Sequence, residues 1–92
     1  PEIKMNIYRI IQEAFNNINK YANATKIEFA LDVYEGFLQL EINDNGVGFS
    51  INKIKNGIGL KNMKSRTEAM KGEISIVSEK GKGTNIKLKV PL

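Results

Sequence analysis

The sequence predicts a two-layer α/β sandwich, a mostly antiparallel mixed sheet covered on one face by helices. Three observations carry this. Two stretches repeat apolar residues at three- and four-residue spacing, as amphipathic helices do. Four shorter stretches alternate apolar and polar residues, as strands with one buried face do. Their order is helix, hairpin, loop, helix, hairpin, so two apolar helix stripes can close on one apolar sheet face. The 92 residues, 41% of them hydrophobic, suit a single domain with one core over residues 1–92.

The first helix is read from Pro1 to Ala22, where Ile3, Ile7, Ile10, Ile11, Ala14 and Ile18 fall on one face. Pro1 suits its first turn and Asn23 its end. Lys26 to Val33 alternates, placing Ile27, Phe29, Leu31 and Val33 on one side of a strand with a buried face. Glu35-Gly36 turns the chain into a second strand with Leu38, Leu40 and Ile42 inward. Residues 49 to 56 have no clear period and read as a loop. Leu60, Met63, Thr67 and Met70 then line one side of a second helix, with Gly72 as its C-terminal cap. Ile74 and Ile76, then Ile86, Leu88 and Val90, mark the last two strands, joined by the glycine-rich segment 79–84.

Composition narrows the chemistry. The chain has no cysteine and no histidine, which removes thiolate and imidazole metal ligands and the commonest general base. Any catalysis rests on carboxylates, amides, hydroxyls, Lys or Arg. The net charge of +4 is compatible with anionic partners, but the lysines are scattered and form no basic stripe interleaved with aromatics. No apolar run is long enough to span a membrane.

Four segments carry the functional pattern. Asp44-Asn45-Gly46-Val47-Gly48-Phe49 follows a strand, which puts a carboxylate at the rim of the sheet before two glycines. On the first helix Glu13 and Asn17 are four residues apart and therefore share a face. Asn16, Asn17 and Asn19 are poor helix formers, so their clustering there calls for a reason such as a ligand or metal. Gly57-Ile58-Gly59-Leu60 enters the second helix, whose free N–H groups and positive dipole end suit an anion. Gly81-Lys82-Gly83-Thr84 closes the set. These could surround one pocket.

In this order and spacing the four segments resemble the N box, the two glycine boxes and the closing Gly-Thr segment of sensor histidine kinase ATP-binding domains. These belong to the superfamily shared with gyrase, Hsp90 and MutL. Leu60, Met63 and Arg66 match its Gly-Leu-x-x-Met-x-x-Arg pattern, and the short interval between the glycine boxes looks like the compact nitrate-sensor and membrane-fluidity-sensor subfamily. The resemblance implies a Bergerat-type ATP-binding fold excised from a longer kinase. It implies Mg-ATP binding, with the γ-phosphoryl group passed to a histidine on a separate dimerisation domain and then to a response regulator. No nucleic acid and no membrane contact by this domain are expected, and the location is cytoplasmic beneath a parent kinase that can be membrane-anchored. An ATPase or serine-kinase relative is the alternative, and a basic nucleic-acid-binding module a more distant one.

The same resemblance implies residue roles. Asp44 would accept a hydrogen bond from the adenine amino group, and Gly46 and Gly48 would let the backbone pass close to the base. Asn17, with Asn16 as competitor, would ligate Mg²⁺. Glu13 would orient the nucleophile or act as a base. Gly57, Gly59 and Leu60 would hold phosphates, Thr84 would bond near the adenine, and Lys20 would reach a phosphate. Tyr21 stands where the subfamily usually has a histidine.

Overall fold

A computed structural model describes residues 2–19, 23–48 and 60–92. Helix α1 (Glu2–Asn17) is followed by strands β1 (Ile27–Tyr34) and β2 (Phe37–Asp44), helix α2 (Leu60–Ala69), and strands β3 (Glu73–Glu79) and β4 (Gly83–Pro91). The four-stranded sheet has the order β1-β2-β4-β3. All three pairings are antiparallel, so among the described residues the expected parallel component of a mixed sheet does not occur. Pro1, residues 20–22 of the expected first helix, and residues 49–59, which include the expected 49–56 loop, lie outside the described residues.

The core sits where the periodicities predicted. Ile7, Ile10, Ala14 and Ile18 from α1 and its continuation pack with Met63 and Met70 of the α2 segment. They close on Leu40 and Ile42 of β2 and Ile86, Leu88 and Val90 of β4. Burying each of the isoleucine, leucine, valine and methionine side chains contributes about 1.5–3 kcal/mol. Thr67 is the polar member of this layer, 1% exposed, and its hydroxyl donates to the Met63 carbonyl at 2.7 Å, the backward bond a buried helical threonine can make.

Three local features differ from the sequence reading. First, Ile27, Phe29, Leu31 and Val33 lie opposite Asp44, Ile42, Leu40 and Leu38 and so share the helix-facing side, yet their exposure runs from 41% at Ile27 to 60% at Val33. β1 is an edge strand, and the helix stripes are taken up by the two central strands; α1 reaches β1 at Phe29, whose ring lies 6.1 Å from that of Phe15. Second, the left-handed residue ending α2 is Lys71, with φ of 59°, rather than Gly72. Lys71 N–H bonds the Glu68 carbonyl at 2.9 Å and Gly72 N–H the Thr67 carbonyl at 3.0 Å, the paired bonds of a Schellman ending. Gly72 is needed for space instead, since a Cβ there would lie 2.7 Å from the Lys89 carbonyl oxygen. Third, residues 18 and 19 wind as a wider π turn after Asn17.

The β1–β2 turn follows its expected chemistry. Glu35 and Gly36 both have positive φ, 51° and 81°, the type I′ geometry that matches the twist of a two-residue hairpin.

The other face of the sheet is polar. A broad concavity of about 590 Å³ there, lined by Asp32, Glu41, Lys87 and Lys89 among others, lies on the side away from the helices. Asn85 Nδ2 donates to Glu41 Oε2 at 2.7 Å, and Asn43 Nδ2 reaches the same oxygen at 3.4 Å. The Asn85 bond is the main cause holding the Glu41 carboxyl below its ordinary 4.5; desolvation opposes it, and Asn43 and the Lys87 charge add smaller lowering effects. A depressed carboxyl stabilises the fold above its unfolded pKa, and that contribution is lost as pH falls through the folded value. Wild type is therefore expected to lose stability relative to Glu41→Gln as pH falls from about 6 to about 3, read from urea midpoints at each pH. A difference independent of pH would contradict the assigned network. In the core, Leu40→Ala is expected to lower stability by about 2–5 kcal/mol in the same assay.

Candidate functional site

The rim of the sheet at the end of β2 is built by backbone contact. Asp44 pairs across the sheet with Thr84, the second residue of β4, and both are nearly buried. Asp44 Oδ1 accepts the Gly46 N–H at 2.8 Å, which curls the chain back over the carboxylate in an Asx turn. Asp44 Oδ2 has no hydrogen-bond partner among the described residues. No side-chain N or O that is fully buried there lacks a partner, so this oxygen remains reachable from outside. Thr84 Oγ1 shares a 2.8 Å hydrogen bond with Ser78 Oγ, which also donates to the Gly83 carbonyl at 3.2 Å. Asp44 and Thr84 line a cavity of about 170 Å³ with Asn43, Val77, Glu79 and Lys82 on its walls.

The glycines of the two loops lock together. Gly48 has φ of 67°, and a Cβ on it would stand 1.9 Å from the Glu79 carbonyl oxygen. Gly83 has φ of 84°, and a Cβ there would stand 2.1 Å from the Asp44 carbonyl oxygen. The Gly81 N–H donates to the Val47 carbonyl, closing the contact. The close approach at Gly48 is thus to the β3–β4 turn. Gly46 is buried and contributes its N–H to Asp44.

Asn45, which sequence reasoning left without a role, ties this rim to the start of β1. Its Oδ1 accepts the N–H groups of Thr25 and Lys26 at 3.0 and 2.9 Å, and its Nδ2 donates to Thr25 Oγ1 at 2.9 Å. Ser78 was missed likewise. Neither has a local signal, because their partners are brought near only by folding.

Glu13 and Asn17 stand one turn apart near the end of α1, both half-buried, whereas Asn16 is exposed. Asn17 is therefore the inward-facing amide of the pair. Glu13 lines a cavity of about 140 Å³ between α1 and α2, shared with Arg9, Gln12, Asn62, Met63 and Arg66. Leu60 is the first residue of α2, whose first turn carries no acidic residue to occupy its free N–H groups. The structure thus brings Asp44, Gly46, Gly48 and Thr84 together at one rim, and Glu13 and Asn17 together on α1. Lys20, Tyr21, Gly57 and Gly59 lie outside the described residues.

Among the described residues no group of three or more acidic, histidine or cysteine side chains could hold a metal. No helix there is long and apolar enough to cross a membrane. A hard oxygen donor such as the Asn17 amide fits Mg²⁺, which takes few protein ligands and completes its octahedron with water and phosphate oxygens.

The rim makes two substitutions separable. Gly81→Ala meets open space, so only its left-handed backbone, φ of 87°, is strained. Its expected cost is about 1–2 kcal/mol. Gly83→Ala adds the collision with the Asp44 carbonyl and is expected to cost distinctly more in urea unfolding. Equal losses would contradict the interlock.

Comparison with known proteins agrees with this fold. The chain is 35% identical over 91 residues to the sensor histidine kinase LiaS of Bacillus subtilis, covering 98% of this chain and 25% of that protein. It is 40% identical over 91 residues to the sensor protein VraS of Staphylococcus epidermidis, covering 98% of this chain and 26% of that one. The chain thus spans about a quarter of the length of these relatives. Its fold superposes on the histidine kinase domain of a blue-light activated kinase from Erythrobacter litoralis with a TM-score of 0.84 at 18% identity, covering 99% of this chain and 48% of that one. For the histidine kinase AdeS of Acinetobacter baumannii the TM-score is 0.78 at 22% identity, over 95% of this chain and 46% of that one. Residues 2–92 match the family described as histidine kinase-, DNA gyrase B- and HSP90-like ATPase, and the chain belongs to that family.

Proposed function

We propose that this chain binds Mg-ATP and supplies the γ-phosphoryl group to a histidine on the dimerisation domain of a parent sensor kinase, with a response regulator as the next acceptor. The observation that carries the reading is the Asp44 carboxylate. One oxygen is held by the Gly46 N–H and the other is open at the rim. An ionised carboxylate only accepts hydrogen bonds, so it selects a base that presents a donor there, as the adenine amino group does and the guanine 6-oxo group does not. Thr84, fixed by Ser78, offers a hydroxyl beside it.

Asn17 would hold Mg²⁺, which would supply positive charge to offset that of the phosphates. The N-terminus of α2, with no acidic residue in its first turn, would offer its N–H groups and the positive dipole end to the phosphates, with Gly57 and Gly59 preceding it in sequence and Lys20 as a further cation. Glu13 would orient the acceptor imidazole or take its proton. Phosphoryl transfer asks the protein mainly to position groups and neutralise charge, and these residues supply both. The acceptor must come from elsewhere because this chain contains no histidine. The description of one relative as a sensor histidine kinase and another as a sensor protein supports the parent's role.

Thermal unfolding with and without Mg-ADP tests this. Ligand at about 100 times its dissociation constant adds about 2.7 kcal/mol of stability. A rise in Tm with Mg-ADP, reduced by EDTA, absent with GDP and lost in Asp44→Asn, is expected. A wild-type response in Asp44→Asn would remove that residue from the base site. Steady-state ATP turnover by the chain alone, lost in Glu13→Ala, would favour the ATPase reading.

A further inference from the structure

We infer that the groove between α1 and α2 beyond Glu13 seats the phosphoacceptor segment, and that Arg9 and Arg66 pair there with a carboxylate about one helical turn from the acceptor side chain. This rests on the kinase reading above. On α1, Arg9, Glu13 and Asn17 recur every fourth residue, so they form one stripe with steps of about 6 Å. Asn17 faces the metal end of that stripe, Glu13 the transfer step, and Arg9 the side away from the nucleotide. Arg66 reaches the same cavity from α2. It stands six residues past Leu60, about 9 Å along the axis from the helix start proposed for the phosphates.

Among the described residues neither arginine of this groove forms an ion pair, although Glu13 lines the same cavity. Arg66 Nη1 donates to the neutral Asn6 amide at 3.2 Å, and Arg9 Nη1 to the neutral Gln12 amide at 3.2 Å. The one ion pair among the described residues, Lys82 with Glu79, lies on the β3–β4 turn. Each guanidinium therefore keeps most of its fork of donors for a planar acceptor, and carboxylate is the acceptor that fits it. The groove continues past Arg66 along Asn6, Asn62, Ser65 and Ala69, so a segment of chain can lie along the seam. Met63 is its buried apolar floor.

The test is trans-phosphorylation. This chain is the catalyst, and the full-length parent kinase, disabled for nucleotide by Asp44→Asn, is the acceptor. Initial rates are measured against acceptor concentration at saturating Mg-ATP, with Mg-ADP affinity measured in parallel. Arg9→Ala is expected to raise the acceptor KM about tenfold with kcat and Mg-ADP affinity unchanged. Arg9→Glu should raise it further, Arg9→Lys should recover part of the loss, and the wild-type KM should rise with salt. Arg66→Lys, which keeps the charge and the tie to Asn6 but not the fork, should raise KM while leaving Tm in place. An unchanged KM in both Arg9→Glu and Arg66→Lys would overturn the proposal, as would weakened Mg-ADP binding in either, which would assign the arginines to phosphate. A wild-type chain that binds no Mg-ADP would instead remove the kinase reading, and this proposal with it.

Discussion

The β2 rim depends on backbone meeting backbone. Gly48 sits against the Glu79 carbonyl and Gly83 against the Asp44 carbonyl, at separations that leave no room for a Cβ. This contact fixes the loop after β2 onto the β3–β4 turn, and the Asp44–Thr84 register follows from the same pairing of β2 with β4. A carboxylate on a free loop would be well solvated and poorly aimed. Here the Gly46 N–H pins one oxygen and the strand pins the Cα, leaving a single oxygen to face a ligand. In the proposed reading, preorganisation of this kind would let one acceptor select a base.

The second half of the site has a different foundation. Glu13 and Asn17 are held by the helix they stand on, and α1 is anchored by Ile7, Ile10, Ala14 and Ile18 over β2 and β4. Core and polar stripe are therefore two faces of one helix. Rotating α1 to improve packing would move Glu13 and Asn17 together, so the hydrophobic layer sets where both stand. The Arg66–Asn6 bond joins α2 to the same helix from outside the core.

Much of this was legible in the sequence, and what was not has physical causes. Alternation located β2 and β4, whose faces are buried on one side, and β3, whose inward side is half-buried, and it placed Asp44 at a strand end. The same alternation in β1 misled about burial, because period reports which side a residue faces and not whether anything covers an edge strand. Gly72 looked like the left-handed residue of the α2 ending, but Lys71 takes that conformation while Gly72 yields space to β4. Asn45 clamps residues about twenty positions away, and Ser78 orients Thr84 across a hairpin; neither partner could be named before the register was known. The four glycine and acid segments were found because their order survives without coordinates.

The claim that Asp44 reads the base through its open oxygen is tested most directly by calorimetric titration of the chain with ADP and with inosine diphosphate, both with Mg²⁺. The two ligands differ at the 6-position, amino in one and oxo in the other. The account predicts ADP binding at least about tenfold tighter, since the oxo group would meet an acceptor with an acceptor. Equal affinities would contradict it, because a pocket indifferent to that exchange does not use the Asp44 carboxylate for recognition.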